Sequence, residues 1–104
     1  MPTAMHMRWP GVSIDQYEQT RDKVRWEEEL PEGAIFHVAA RDGDELRVFD
    51  LWESPEQFNA FVESRLMPVI VGEMGIETEP EVTLCEVHRM FAPNGIEAGA
   101  GILA

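Results

Sequence analysis

A β-hairpin in the middle of the chain constrains the fold more than any other feature of the sequence. Two runs of alternating apolar and polar residues, Ala34 to Arg41 and Leu46 to Glu53, flank the turn Asp42-Gly43-Asp44-Glu45. A two-residue loop and a four-residue loop at this turn give the same strand register. That register pairs His37 with Asp50, and because cross-strand partners point to the same face of a sheet, the two side chains should be neighbours.

The predicted pair of His37 and Asp50 is the strongest candidate for catalysis in the chain. The carboxylate of Asp50 would hold one tautomer of the imidazole and leave the other nitrogen of His37 to act as a general base. Such a base could remove a proton from a phenol or an enol. The resulting carbanion would react with oxygen without a cofactor, or be reprotonated elsewhere, as in an isomerase. The alternative is a structural pair that satisfies its own hydrogen bonds and fixes the strand register.

Four further elements surround the hairpin and define the fold class. They are a strand over 4–9, a helix from Ile14 to about Glu27, a second helix that starts at Ser54-Pro55 and kinks or restarts at Pro68, and a last strand from Glu81 to Phe91. The order β-α-β-β-α-β is that of the split βαβ, ferredoxin-like unit. We predict an α+β fold, with a four-stranded antiparallel sheet and both helices on one face. This domain would span 1–91, followed by a C-terminal tail over 92–104 that is flexible or packed on a partner subunit.

The first helix has a clear start and an ambiguous end. Ser13 and Gln16 have the spacing of a capping box, in which each side chain bonds the backbone N–H of the other residue. Trp26 falls on the side of the helical wheel opposite the apolar stripe. Either the helix ends near Arg25 and Trp26 folds back from the loop, or Trp26 covers a second surface.

Both faces of the hairpin carry apolar side chains, so both need a cover. The more uniformly apolar face is expected to meet the helices, and it holds Phe36, Val38, Ala40, Phe49 and Leu51. The opposite face holds Ile35, His37, Ala39, Leu46, Val48, Asp50 and Trp52. An exposed patch of that size on a monomer usually marks an interface. We therefore expect a homodimer whose sheets pack on each other around a partly apolar cavity.

The sequence resembles the dimeric α+β barrel superfamily, and most closely its small proteins of the antibiotic-biosynthesis-monooxygenase type. The likeness is carried by the run IFHVAARDGDELRVFDLWESPEQFNAFVESRLMPVI, the earlier YEQ helix and the closing strand VTLCEVH, and it covers about Met5 to Phe91. Its motifs are a G-x-x-H strand, which Gly33 to His37 match with one extra residue, D-x-W-E-S before a helix, and R-L-x-P late in that helix. The resemblance implies the predicted fold, a homodimer and a small hydrophobic or aromatic, polyketide-type ligand in the barrel cavity.

The resemblance leaves several activities open. The superfamily includes cofactor-free monooxygenases, haem-degrading enzymes, isomerases, decarboxylases and proteins with no known reaction. The Asn-Trp-His set associated with the haem-degrading branch is not evident, because Asn59 falls in the second helix and the first strand has no Asn. We expect no cofactor, and either a monooxygenase-like or isomerase-like enzyme or a non-catalytic binding or structural dimer. The volume of the cavity separates the two, since an enzyme of this kind needs an open pocket of ~300 Å³ beside His37.

Three aromatic residues are candidates for contacting a ligand. Trp9 and Trp52 could stack on a flat aromatic molecule, although core or interface packing explains both without a ligand. Tyr17 could donate a hydrogen bond at the mouth of the cavity, and helix–sheet packing is the alternative for this residue.

Two charged or titratable residues complete the candidate set. Arg65 interrupts the apolar face of the second helix, which indicates either a buried salt bridge with Glu53, Glu18 or a partner's carboxylate, or the recognition of an anion. His88 would either add a titratable group to the cavity rim or lie exposed at the end of the last strand.

A metal site is not expected. Three convergent ligands are needed, and His37, Asp50 and His88 would supply them only if their strands met. In this fold the first and third strands separate the last strand from the start of the hairpin. The chain also has one cysteine, Cys85, which excludes an intrachain disulfide and a multi-cysteine metal cluster.

The net charge of the chain excludes two classes of binding partner. A net charge of -12 argues against nucleic acid and anionic lipid, since both require clustered Lys and Arg. No stretch approaches the ~20 apolar residues of a membrane span, and the N-terminus lacks the apolar segment of a secretory signal. We expect a cytoplasmic protein that binds neither nucleic acid nor membrane.

Overall fold

The hairpin forms one half of a four-stranded antiparallel sheet. Its strands are β2 (Ala34–Asp42) and β3 (Glu45–Trp52), and His37 lies opposite Asp50, which confirms the predicted register. A bulge between Ala34 and Phe36 interrupts the pairing near the start of β2. The remaining strands, β1 (Thr3–Pro10) and β4 (Glu81–Glu86), complete the order β2-β3-β1-β4.

The computed structural model describes residues 2–93. Most of the predicted tail over 92–104 lies outside these residues, and the division of the chain at residue 91 stays a prediction. None of the helices in 2–93 has the length and apolar character that a membrane crossing requires. The cytoplasmic location also stays a prediction.

The first helix, α1 (Ile14–Val24), begins at the predicted capping box. The Ser13 hydroxyl accepts the Gln16 N–H at 3.1 Å, and the Gln16 side chain accepts the Ser13 N–H at 2.9 Å. The helix ends before the predicted Glu27, because Arg25 adopts a left-handed conformation with φ of 61°. A left-handed residue ends the run of helical hydrogen bonds and redirects the chain. Of the two alternatives for Trp26, the structure selects the one in which Trp26 folds back from the loop.

The second helix begins as predicted and then widens. Ser54 caps α2 (Pro55–Phe61), and two π-helical segments, Val62–Leu66 and Pro68–Glu73, continue it. A proline has no N–H to give, and its ring excludes the carbonyl four residues earlier. The wider turn accommodates this, so the predicted irregularity at Pro68 takes the form of a π-helical restart.

Our assignment of the sheet faces is wrong. The helices cover the face that carries His37, whereas the face with Phe36, Val38, Ala40, Phe49 and Leu51 is left open. Trp9 and Trp52 of the covered face are 4% and 3% exposed, while Phe49 of the open face is 44% exposed. The reason lies in β1, which pairs with β3 and places Met5, Met7 and Trp9 beside Asp50, Val48 and Leu46. On the other face β1 contributes Ala4, His6 and Arg8. The larger apolar side chains of the sheet therefore lie on the side of His37, and the helices pack there.

Residues from α1, from α2 and from the π-helical continuation of α2 pack on the sheet and complete this core. The buried side chains that they contribute are Val24, Phe58, Leu66, Val69 and Ile70. With all four strands antiparallel and both helices on one side, the ferredoxin-like α+β fold is confirmed.

The last strand is shorter than predicted. β4 ends at Glu86, opposite Thr3, and within residues 2–93 one further backbone hydrogen bond follows, from the Val87 N–H to the Pro2 carbonyl at 2.9 Å. β1 begins at Thr3, so no neighbouring strand remains for the rest of the predicted strand up to Phe91.

Candidate active site

A chain of hydrogen bonds joins four side chains from α1, β2 and β3. The Asp50 Oδ1 atom lies 2.6 Å from His37 Nδ1, and the Trp52 indole N–H donates to Asp50 Oδ2 at 3.1 Å. The other ring nitrogen of His37, Nε2, lies 2.7 Å from the Tyr17 hydroxyl. The predicted neighbours His37 and Asp50 are therefore in contact, and the structure adds Tyr17 as the second partner of the imidazole.

The chemistry of these groups assigns the protons. An ionised Asp50 can only accept, so the proton between it and the imidazole belongs to His37 Nδ1. The lone pair of His37 then lies on Nε2, and it accepts a hydrogen bond from the Tyr17 hydroxyl. The Asp50 side chain is only 10% exposed and both its oxygens are occupied. The imidazole is thus held in one tautomer, with the Tyr17 oxygen beside its unprotonated nitrogen.

Burial raises the pKa of the Tyr17 phenol, with the nearby carboxylates of Glu18, Glu27 and Asp50 adding to the rise and Arg21 opposing it. The phenol therefore remains protonated at neutral pH. In that form it donates to His37 and still offers an oxygen lone pair.

The raised pKa of Tyr17 can be measured directly, because this is the only tyrosine in the chain. In an absorbance titration of the folded protein, phenolate should appear only well above the pH of about 10 at which free tyrosine ionises. The unfolded chain loses this proton first, so stability should fall as the pH rises above about 10, and less so in Tyr17→Phe. Ionisation of the folded protein at the free-tyrosine value would contradict the buried position.

Trp26 covers the two rings, and the sequence left its position open. Its ring centroid lies 5.7 Å from that of Tyr17 and 5.4 Å from that of His37. The left-handed Arg25 makes the turn that brings Trp26 over the Tyr17 and His37 rings. The Arg65 guanidinium holds this turn by donating to the Val24 carbonyl at 2.9 Å.

The chain of hydrogen bonds opens on a cavity of about 670 Å³ between the sheet and the helices. Tyr17, His37 and Asp50 line it, and so do Trp9 and Trp52, whose contact with a ligand stays a prediction. The rest of the wall is mostly apolar and includes Met5, Met7, Val12, Leu46, Val48, Phe58, Phe61, Leu66 and Ile70. Leu30 and Ile35 also line it and are 78% and 43% exposed, so they mark its mouth.

The structure places Arg65 and His88 away from this cavity. Arg65 forms neither of the predicted salt bridges with Glu53 and Glu18. Its guanidinium binds the carbonyl end of α1, where the negative end of the helix dipole attracts a cation. It also lies over the Phe61 ring, 5.5 Å from the ring centroid. His88 is exposed and follows the end of β4, so it is not part of the cavity rim.

The strand order separates the residues that a metal site would need. β3 and β1 lie between β2, which carries His37, and β4, which precedes His88. Within residues 2–93, no three His, Cys, Asp or Glu side chains converge as metal ligands would.

The fold is found in solved structures of low sequence identity. No protein-family model and no curated protein matches the chain. Rv0793 from Mycobacterium tuberculosis is similar, with a TM-score of 0.66 and 14% identity over 88% of this chain and 100% of that one. SnoaB, a cofactor-independent oxygenase from Streptomyces nogalater, matches with a TM-score of 0.63 and 11% identity over 86% and 95%.

A candidate antibiotic biosynthesis monooxygenase from Chloroflexus aurantiacus matches with a TM-score of 0.55 and 15% identity over 88% of this chain and all of the other. Proteins of unknown function are also among the matches, such as NE2512 from Nitrosomonas europaea. These likenesses confirm the predicted resemblance to antibiotic-biosynthesis-monooxygenase-like proteins at the level of the fold. At such identities they carry no activity from one protein to another.

Proposed function

We propose that this protein is a small-molecule enzyme that removes a proton from an enolisable or phenolic aromatic compound in the cavity. His37 is the base, Asp50 holds its tautomer, and Tyr17 stands between the base and the ligand. The observation that carries the proposal is the hydrogen-bonded chain from Asp50 through His37 to Tyr17, which ends in an apolar cavity of about 670 Å³.

The proton leaves the ligand through Tyr17. The Tyr17 oxygen accepts the ligand's proton while its own hydroxyl proton passes to His37 Nε2, 2.7 Å away. The phenol ends the step protonated, as its raised pKa requires, and the imidazole becomes an imidazolium paired with Asp50. General-base catalysis of this kind contributes about 10²- to 10⁴-fold in rate.

The anion formed in this step has two fates. Reprotonation at another carbon gives an isomerase. Reaction with oxygen converts a CH₂ group and O₂ into a carbonyl group and water, and it needs no external reductant because the substrate supplies both hydrogens. SnoaB is described as a cofactor-independent oxygenase, which supports the oxygen branch for this chain by analogy of fold alone.

A non-catalytic binding or structural dimer is the second candidate. A scaffold would fill its interior with its own side chains, and here the volume beside His37 is about twice the ~300 Å³ that a ligand site requires. The volume of the cavity therefore supports a ligand-binding protein over a structural one. The hydrogen-bonded imidazole supports an enzyme over a protein that only binds its ligand.

Deuterium exchange tests the proposal. The probe is 2-tetralone, a flat bicyclic ketone with acidic hydrogens at C1, and the measurement is loss of the C1 proton signal in D₂O by NMR. The protein should accelerate exchange beyond an equal concentration of free imidazole, and oxygen uptake in the same samples separates the two fates. Binding of 2-tetralone without faster exchange would favour the non-catalytic candidate.

The proposal includes a homodimer formed through the open sheet face. Four apolar side chains of the hairpin, Phe36, Val38, Phe49 and Leu51, lie on that face, and His6 stacks on Phe49 with ring centroids 4.8 Å apart. An apolar face of this extent is typical of an interface. The homodimer that the resemblance implies would then leave each cavity within its own subunit, between the sheet and the helices.

Replacing Phe49 with glutamate should convert the dimer into a monomer, because each subunit would bury a carboxylate in the apolar interface. Light scattering after size exclusion measures the mass. Val71→Glu is the matched control, since Val71 is also exposed, at 55%, but lies on the helical segment. A wild-type protein that is monomeric at all concentrations would contradict the dimer.

A further inference from the structure

The cavity carries negative groups without a positive one. Asp50 and Glu27 line it, and no Lys or Arg is among its lining residues in the part of the chain that the structure describes. Met1 and residues 94–104 contain no Lys or Arg either. Five of the eight basic side chains bind other partners: Arg8 binds Glu45 and Glu81, Arg21 binds Glu18 and Glu27, Lys23 binds Glu73, Arg47 binds Asp42 and Glu45, and Arg65 binds the end of α1.

Four side-chain donors of the cavity wall are also occupied. The Trp9 indole donates to the Thr78 carbonyl at 2.8 Å, and Thr20 donates to the Gln16 carbonyl at 2.8 Å. The Trp52 indole donates to Asp50 at 3.1 Å and, in the proton assignment above, Tyr17 donates to His37.

One further donor, the Trp26 indole N–H, has no partner among the described residues. Its nitrogen is covered by protein atoms, so a ligand does not reach it. The side-chain atoms left for a ligand are acceptors, namely the lone pair of the Tyr17 oxygen and the exposed carboxylate of Glu27, which binds Arg21 through one oxygen.

We infer that the cavity selects uncharged ligands that donate a hydrogen bond to Tyr17, and that it rejects carboxylates, phosphates and sulfates of the same shape. This inference rests on the proposed function and narrows its substrate class by charge. An anion would lose its hydration in an apolar cavity without gaining a cation or a free side-chain donor. A neutral hydroxyl or enol loses little, and the proton that it gives up stays within the cavity on His37, so the net charge of the occupied site does not change.

Three probes of one shape test the charge selection: 2-naphthol, 2-naphthoate and 2-methoxynaphthalene. At neutral pH the first is an uncharged donor, the second an anion and the third an uncharged molecule without a donor. Ligand-observed NMR with the intact protein should give dissociation constants at least about tenfold weaker for 2-naphthoate than for 2-naphthol. The dissociation constant of 2-methoxynaphthalene should be larger than that of 2-naphthol by about threefold to tenfold, because one hydrogen bond is lost.

A pair of variants shows whether the missing cation is the cause. Ile35→Arg places a guanidinium at the mouth of the cavity, on a side chain that is 43% exposed. It should strengthen the binding of 2-naphthoate by about tenfold and leave that of 2-naphthol within about threefold. Ile14→Arg adds the same charge on α1, away from the cavity wall, and should change neither.

The outcomes separate the inference from the proposed function. Binding of 2-naphthoate as tight as that of 2-naphthol would overturn the charge selection, while exchange of 2-tetralone would still stand. An equal gain of 2-naphthoate affinity in both arginine variants would overturn it too, because net charge alone would then explain the effect. If none of the three probes binds, the cavity is not a ligand site and the proposed function fails with the inference.

Discussion

Replacing His37 with alanine is expected to lower the rate of deuterium exchange from 2-tetralone by about 10²- to 10⁴-fold, the range that a positioned general base contributes. The imidazole is the group that receives the proton, and no other base in the described cavity lies within hydrogen-bonding distance of the Tyr17 hydroxyl. The dissociation constant of 2-tetralone should change much less than the rate, since the ligand contacts Tyr17 and the apolar wall. The measurement is exchange at saturating and at subsaturating concentrations of the protein.

Two variants control this experiment. His88→Ala removes an exposed imidazole outside the cavity and should exchange at the wild-type rate. Asp50→Asn keeps the shape, but its amide donates a hydrogen bond to His37 Nδ1 and moves the proton to Nε2. Nitrogen chemical shifts from NMR should report that change of tautomer, and exchange should fall nearly as far as in His37→Ala. Wild-type exchange in His37→Ala would end the assignment of His37 as the base.

Replacing Gly33 with alanine is expected to lower the free energy of unfolding by about 3 kcal/mol. Gly33 has a φ of 87°, which an L side chain adopts at a cost of about 1–2 kcal/mol. A Cβ there would also overlap the side chain of Gln57, from its Cβ to its amide oxygen. That amide accepts the Ser54 hydroxyl at 3.0 Å, so moving Gln57 disturbs the start of α2. Overpacking of this kind costs about 1–3 kcal/mol more.

Gly43→Ala is the matched control for the packing part of this loss. Gly43 has a φ of 63° in the hairpin turn, and a Cβ there would meet no other atom within 4 Å. It should lose only the conformational part, about 1–2 kcal/mol. Urea unfolding at one fixed protein concentration measures both losses, because dimer formation would make stability depend on concentration. Equal losses in the two variants would show that the contact with Gln57 contributes nothing.

The strand register and the helix starts could be predicted from the sequence because both depend on neighbours along the chain. Turn residues and the period-two alternation of β2 and β3 fix which residues face each other, and these local features alone place His37 beside Asp50. Ser13 and Ser54 cap the helices that follow them within a single turn. The ambiguous end of α1 shows the limit, since a left-handed arginine at position 25 has no strong local signal.

The site as a whole was decided by contacts between elements that are distant in the chain. The hairpin taken alone favours the wrong face for the helices, and the pairing of β1 with β3 reverses it by adding Trp9 and two methionines to the side of His37. The same choice moves His37 from the expected space between two subunits into the interior of one. There it meets Tyr17, which lies 20 residues away in sequence.

The sequence by itself thus determined the elements, their order and the His37–Asp50 pair. Only the tertiary structure decided that Tyr17 completes the pair, that Trp26 covers it, and that Arg65 binds the carbonyl end of α1 instead of lining the cavity. The physical reason is that register and capping follow from local hydrogen bonds. The covered face instead depends on the total apolar area that all elements bury together.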